Sequence, residues 1–357
     1  MYNLKIKNFG VLKDIDIILN KTNLFIGNNG SGKSVLAKVI TIVTSFEKYG
    51  NNFLNEFSKW DIEFIDNDTY IELIDIENNH SLFTIKDNNI NFSKKVQEII
   101  STQNKNNNIL KSFSNPQNID IEYILPKTYI SQYIPAERNL ISLLNKSIYS
   151  LITSEIPLPK HLLTFASHYE KAKNEIKELD LLNMKYLSQN GQDRIYYNTD
   201  NFLPLENSSS GMQTALPLYL TLKYFSSKHY HIVIEEPEQN LYPKSQVDTI
   251  IYMIENSSQH LSLMTHSPYV LSILNILLFA YKASHKNDIL KEKIDAIISP
   301  SQQIDPNQFS AYLIENGKSI SIKSDTTGMI KENVIDDISD DIDDDFNKLM
   351  QIYREYK

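Results

Sequence analysis

Residues 27–34 read Gly-Asn-Asn-Gly-Ser-Gly-Lys-Ser, and no other stretch constrains the chain as strongly. The pattern GxxxxGK followed by Ser or Thr arises by chance about once in a hundred chains of this length. It works only between a strand and a helix. The glycines turn backbone N–H groups toward an anion, and the dipole of the following helix adds positive potential. The flanks fit that demand. Asn23, Leu24, Phe25 and Ile26 form a short apolar run into Gly27, and Val35, Leu36, Val39, Ile40 and Val43 recur at helical spacing after Ser34. The loop is therefore a cradle for nucleotide phosphates, formed by Asn28, Asn29, Gly30, Ser31, Gly32, Lys33 and Ser34. Lys33 reaches the β- and γ-phosphates, and Ser34 is placed to ligate Mg²⁺.

The rest of the chain supplies the sheet that such a loop needs. Residues 4–8 and 14–19 alternate apolar and polar, as strands do. Residues 60–92 hold the runs DIEFID, TYIELIDI, SLFTIK and NINF, broken by Asn and Asp pairs, which predict an antiparallel meander. Residues 94–118 are polar, with NKNNN at their centre, and read as a helix end and a loop. Residues 128–134 predict a strand, 159–182 a largely helical stretch, and 184–205 a hairpin around Asn190-Gly191. Residues 211–225 read as a helix that Pro217 should bend or begin. Strand and helix then alternate over 231–234, 243–255, 261–265 and 268–282, which indicates a parallel sheet.

Two of these strands end in chemistry. His-Ile-Val-Ile runs into Glu235-Glu236-Pro237-Glu238, so a buried strand delivers carboxylates to the sheet edge that bears the P-loop. Glu235 should join Ser34 in the Mg²⁺ shell, and Glu236 should orient and activate water. Met264-Thr265-His266-Ser267-Pro268 ends another strand. A lone histidine there is commonly structural. As the third functional position on one sheet edge, His266 is placed to hydrogen-bond a γ-phosphate and sense its loss. A fourth element, Asn207-Ser208-Ser209-Ser210-Gly211-Met212-Gln213, precedes a helix. It reads either as an ordinary serine N-cap or as a second phosphate-facing helix start, which would serve the nucleotide of another subunit.

Composition narrows the setting. The formal charge is −9, of which the segment 331–357 contributes −5. No part of the chain is strongly basic, so DNA binding driven by overall charge is disfavoured. The chain has no cysteine, which excludes disulfides and thiolate metal sites. The N-terminus has no apolar signal region, and the longest apolar run, 269–281, is too short to span a bilayer. A cytoplasmic protein with no membrane association is expected, with that run as a buried helix. The seven aspartates between 336 and 345 are interleaved with Ile335, Ile338, Ile342, Phe346, Leu349 and Tyr353 at helical steps, which favours a solvated acidic face over a metal site.

Taken in order, these elements resemble the ABC-type ATPase heads of the SMC, RecF and OLD-like (overcome lysogenization defect) group, over nearly the whole chain. In that resemblance Ser210-Gly211-Met212-Gln213 is a degenerate signature, with Met212 where the transporter form LSGGQ has its second glycine. Glu235 stands where most members have aspartate, Glu236 at the catalytic glutamate and His266 at the switch histidine. Gln239 to Tyr242 occupy the D-loop position, and Tyr133-Ile134-Pro135-Ala136-Glu137-Arg138 resembles the YIPAER segment of OLD-like ATPases, near where a Q-loop falls.

The resemblance implies an α/β fold: a P-loop ABC-type ATPase head with a mixed central sheet, an antiparallel β subdomain and a helical lobe. Residues 1–357 are then one head. Residues 1–135 form the first lobe, 136–206 a helical and hairpin insertion, 207–300 the signature, Walker B and switch lobe, and 301–357 a C-terminal hairpin and acidic helix. The cofactors implied are ATP and Mg²⁺. The implied assembly is a homodimer sandwiching ATP, each site joining one subunit's P-loop to the other's Ser210 and Gly211. The span after His266 is too short for the TOPRIM nuclease of OLD proteins, so a separate effector, a nuclease or toxin, is expected. Similar ATPase subunits occur in bacterial anti-phage systems of the Septu, PARIS and retron-associated types. The alternative is a RecF- or SMC-like ATPase of DNA repair or recombination, which leaves nucleic acid open as a partner. A transporter subunit fits poorly without LSGGQ, and a ring-forming AAA+ motor fits less well.

Overall fold

The computed structural model describes residues 1–102, 130–144, 158–189, 191–226, 228, 230–257 and 260–331. The polar NKNNN stretch and the acidic segment after Lys331 lie outside them. Strands β1 (Tyr2–Phe9) and β2 (Leu12–Leu19) pair as an antiparallel hairpin, and β3 (Thr22–Ile26) leads into the P-loop and the helix Lys33–Thr44. The meander is β4 (Tyr70–Asp75), β5 (His80–Lys86) and β6 (Asn89–Phe92), with β4 antiparallel to β1. The run DIEFID is not its first strand. Residues 61–69 are irregular, and the exposed Phe64 ring meets Phe9 edge-on at 5.6 Å.

Four further strands are parallel to β3 on one sheet: β7 (Ile130–Ile134), β12 (Tyr230–Glu235), β13 (His260–Thr265) and β14 (Phe309–Glu315). The strand order is β6-β5-β4-β1-β2-β15-β14-β3-β13-β12-β7, with β15 spanning Lys318–Ser321. The expected C-terminal hairpin lies inside this sheet. Strand β14 adds to β3, and the turn at Gly317 accepts N–H bonds from Lys13 and Asp14 at 2.7 and 3.0 Å. This hairpin joins the antiparallel part to the parallel part, so that among the described residues the two form one mixed sheet of eleven strands.

Alternation along the parallel strands builds two cores. Leu24, Ile232, Ile234, Leu261 and Leu263 face one cluster, and Phe25, Val233 and Met264 face the other. The first is closed by the helices Lys160–Glu175, Ser210–Phe225, Pro243–Asn256 and Pro268–Ser284, and the second includes the buried stripe Leu36, Val39, Ile40 and Val43 of the P-loop helix. The apolar run 269–281 is buried on one side only, since Tyr269, Ile276 and Phe279 are at least half exposed. Among the described residues no helix is long and apolar enough to cross a membrane.

The stretch expected to be helical to residue 182 ends at Glu175. Strand β8 (Glu178–Leu181) follows, and with β9 (Met184–Gln189), β10 (Gln192–Tyr196) and β11 (Phe202–Pro204) it forms a small antiparallel sheet rather than one hairpin. Buried Asp193 ties that sheet to the preceding helix, pairing with Lys173 and accepting from the Tyr186 hydroxyl. Pro217 neither starts nor ends its helix. It removes the N–H that would bond the Gln213 carbonyl, and the Ser142 hydroxyl donates there instead at 2.8 Å.

Candidate nucleotide site

Strand β13 lies between β3 and β12, and that order shapes the site. Ile26 is level with Thr265, and Met264 is level with Glu235. The P-loop, the His266 loop and the paired glutamates thus leave one edge side by side, with His266 in the middle. The His266 Nδ1 is 3.4 Å from Lys33 Nζ, and its Nε2 is 3.7 Å from Glu236 Oε1. Lys33, His266 and Glu236, three residues from three strand ends, form one contiguous group.

The loop needs its glycines for two reasons. A Cβ on Gly27 would lie 2.2 Å from the Ile314 carbonyl oxygen, because β14 runs against it. Gly32 has φ +101° and caps the helix Lys33–Thr44, and its Cβ would lie 2.8 Å from Leu12 Cδ2. No side chain caps that helix, so its first N–H groups are available to an anion. Asn28, Asn29, Gly30 and Ser34 are exposed, and Ser31 and Gly32 are half-buried. Lys33 is buried and donates to the carbonyls of Gly27 at 2.6 Å and Asn28 at 3.0 Å. Burial pulls its pKa below that of an ordinary lysine, and Glu236, Glu235 and Glu238 pull it back up.

Glu235 is 4% exposed, and burial pushes its carboxyl up to about 7. The hydroxyls of Tyr133 and Ser34 and the charge of Lys38 oppose that shift, and Glu137 adds to it. Its Oε1 is buried without a hydrogen-bond partner. An unsatisfied carboxylate oxygen facing a P-loop serine fits a magnesium ion, which keeps most of its shell as water and phosphate oxygen. Glu235 and Ser34 are the residues that could hold such an ion.

Ser210 and Gly211 are placed elsewhere, at the start of the helix Ser210–Phe225. The two readings of this serine run fall on different residues. Ser209 is the N-cap, its hydroxyl accepting from the Met212 N–H at 3.3 Å, and Ser210 is left exposed on the first turn. Gly211 packs on the turn after Glu238, where an added Cβ would be 3.0 Å from the Asn240 carbonyl oxygen.

Two functional side chains escaped sequence reasoning. Glu238 Oε1 accepts from the Thr265 hydroxyl and from the His266 N–H. Arg138, from the Pro-Ala-Glu-Arg run after β7, is completely buried and donates to the carbonyls of Glu235 and Glu236. Burial lowers its pKa to about 10, and Glu238, Glu236, Glu235 and Glu137 oppose the shift, so it stays charged at neutral pH. The available signal was an arginine directly after a fourth parallel strand.

Solved structures similar to this chain include the SmcHead bound to the C-winged helix domain of ScpA, at 12% identity, covering 92% of this chain and 99% of that one, with a TM-score of 0.37. The SMC head domain from Thermotoga maritima is 14% identical over 90% of this chain and 97% of that one, with a TM-score of 0.39. The Smc head domain with an extended coiled coil, bound to the C-terminal domain of ScpA derived from Pyrococcus furiosus, is 11% identical over 90% and 96%, with a TM-score of 0.34. No curated protein matches. The family described as "AAA domain, putative AbiEii toxin, Type IV TA system" matches residues 23–272, a span that holds the P-loop, Ser210, Glu235, Glu236 and His266, and the chain belongs to that family.

Proposed function

We propose that this chain binds and hydrolyses ATP as an ABC-type head, dimerises around the nucleotide, and controls a separate effector in bacterial anti-phage defence. The observation that carries the reading is the contact of His266 with both Lys33 and Glu236 at adjoining strand ends. Lys33 and the first amides of its helix hold the phosphates. Ser34 and Glu235 would hold Mg²⁺, which would supply neutralisation of phosphate charge when bound. Glu236 accepts a proton from the water that attacks the γ-phosphorus, and the bond to the ADP oxygen breaks. His266 sits where it can donate to the γ-phosphate and report its departure to Glu236.

Dimerisation is supported by what lies off the site. Ser210 is exposed on a helix start, and Tyr242, at the end of the neighbouring turn, is 78% exposed. A serine hydroxyl, free amides and an aromatic ring make a face suited to the phosphates of a second copy's nucleotide. The family description, with its putative AbiEii toxin and type IV TA system, supports a place beside a second component. The reading is tested by magnesium-dependent ATP turnover of the purified chain and by the mass of Glu236→Gln in ATP. Turnover with a dimeric Glu236→Gln species is expected, and a variant that stays monomeric in ATP would count against the sandwich. Pull-down of the native complex identifies the effector. Salt-dependent DNA binding with no protein partner would favour the repair alternative.

A further inference from the structure

We propose that Arg138 is a positioning residue that couples the helix beginning at Ser210 to the backbone of Glu236. The inference rests on the reading of Glu236 as the residue that activates water. Arg138 has no exposed surface, and its guanidinium is satisfied by backbone carbonyls from three segments. Nη1 donates to Pro135 O at 3.0 Å and to Glu235 O at 2.8 Å, Nη2 to Glu236 O at 2.7 Å, and Nε to Thr214 O at 3.2 Å. A buried cation bonded to neutral carbonyls carries a desolvation cost. What the guanidinium supplies is planar, fixed geometry that spans several acceptors at once.

The acceptors explain what is being fixed. Glu236 has φ +42°, in a region that non-glycine residues seldom occupy, and it precedes Pro237, which restricts it further. Such a backbone persists only where its surroundings over-determine it. Three bonds do so here. The Glu236 N–H donates to Met264 O at 2.8 Å, and its carbonyl accepts from Gln239 N–H at 3.0 Å and from Arg138. The Arg138 bonds therefore help to set where the Glu236 side chain points.

The other end of the link is the helix start. Besides Arg138 on the Thr214 carbonyl, the Thr214 hydroxyl donates to Ser210 O at 2.9 Å and accepts from Asn240 Nδ2 at 3.0 Å. Ser142, four residues beyond Arg138 on the same segment, holds the Gln213 carbonyl that Pro217 leaves without a helical donor. The segment around Arg138 thus grips two consecutive carbonyls of the first helical turns. A displacement of Ser210 and Gly211 by a second subunit's nucleotide would be felt at Glu236 through one rigid side chain, so that glutamate alignment depends on closure.

The test separates binding from turnover. Arg138→Ala is expected to bind ATP within about threefold of the parent while kcat falls about a hundredfold, the pattern of lost transition-state alignment. Guanidinium ion at tens of millimolar should restore at least a tenth of the lost rate, because it can refill the site. Where Arg138→Ala aggregates, Arg138→Lys decides, since one ammonium cannot span these acceptors. A kcat lowered at least tenfold at unchanged ATP affinity supports the proposal. Parental kcat in either soluble variant overturns it. So does a loss of ATP affinity and thermal stability in step with rate, without guanidinium rescue, which is the signature of a merely structural arginine. Glu236→Gln measured alongside keeps the two readings apart. If it turns over ATP normally, the assignment of Glu236 fails; if it is inactive while the Arg138 variants work, only the coupling fails.

Discussion

Glu238 Oε1 accepts a hydrogen bond from the backbone N–H of His266 at 2.8 Å, and the same oxygen takes the Thr265 hydroxyl at 2.7 Å. The Oε1 of the third carboxylate of the Glu-Glu-Pro-Glu run is thereby committed to the neighbouring strand end, while its Oε2 is buried without a hydrogen-bond partner. It sets the height of His266 above the sheet and hence its contacts with Lys33 and Glu236. Glu238→Ala is expected to lower kcat about tenfold with ATP affinity near that of the parent, and Glu238→Gln, which keeps an Oε1 acceptor, to do less harm. Steady-state turnover of the two variants decides, and equal, parental rates would refute the assignment.

Lys33 is the charged end of the cradle and is held by loop carbonyls. Lys33→Ala removes the ammonium but leaves the loop walls of Leu12 and Ile314. ATP affinity should fall about a hundredfold or more, about 3 kcal/mol, with the fold retained. Titration with a fluorescent ATP analogue and a far-UV CD spectrum check both halves of that statement.

Gly27 cannot accept a side chain, because the Ile314 carbonyl would sit 2.2 Å from its Cβ. The collision is with backbone, which cannot rotate away. Gly27→Ala should destabilise the chain by about 3 kcal/mol or more, separating β14 from β3. Denaturant unfolding measures it, and a midpoint equal to the parent's would show that the two strands can part freely.

Ser210→Arg places a bulky cation on an exposed helix start, with Ser209 still capping the helix. Monomer stability and ATP binding should be unchanged and turnover lost, because the insult falls on the partner's nucleotide. Mixing this variant with Lys33→Ala should restore part of the activity, since one composite site of the heterodimer is then intact. Activity of Ser210→Arg alone at the parental level would rule out action across the interface.

His231 is buried between strands with its Nε2 against Ser262 Oγ at 2.8 Å, and burial, aided by His260, lowers its pKa to about 3. An unfolded chain would protonate this ring near 6.5. The stability it contributes is complete above that value and is lost as pH falls toward 3. Between pH 7 and 5 the loss should be on the order of 2 kcal/mol, and His231→Gln should flatten that part of the profile. Unfolding midpoints at the two pH values test it.

Much of the site could be read without coordinates. The P-loop, the paired glutamates and His266 are each announced by a local pattern, an apolar run ending in polar residues. Strand periodicity also placed β1, β2, β12 and β13. Two kinds of feature were not legible. One is Arg138, whose function lies in the carbonyls it meets, and carbonyls are the same in every residue. The other is position in the sheet. The run 311–323 was legible as a hairpin, but local pattern carries no information about which strand it joins.

The groups available are set by local chain chemistry: a phosphate cradle at 27–34, carboxylates at 235 and 236, and an imidazole at 266. These depend on short spacing within one turn or strand end, which the local chain dictates. The packed fold inserts β13 between β3 and β12, so that His266 touches both Lys33 and Glu236. It also decided that β14 and β15 weld the two parts of the sheet, and that Arg138 holds Glu236 in its unusual backbone conformation. Those outcomes are settled by the burial of both sheet faces and by the satisfaction of buried polar groups, which are properties of the whole packed molecule.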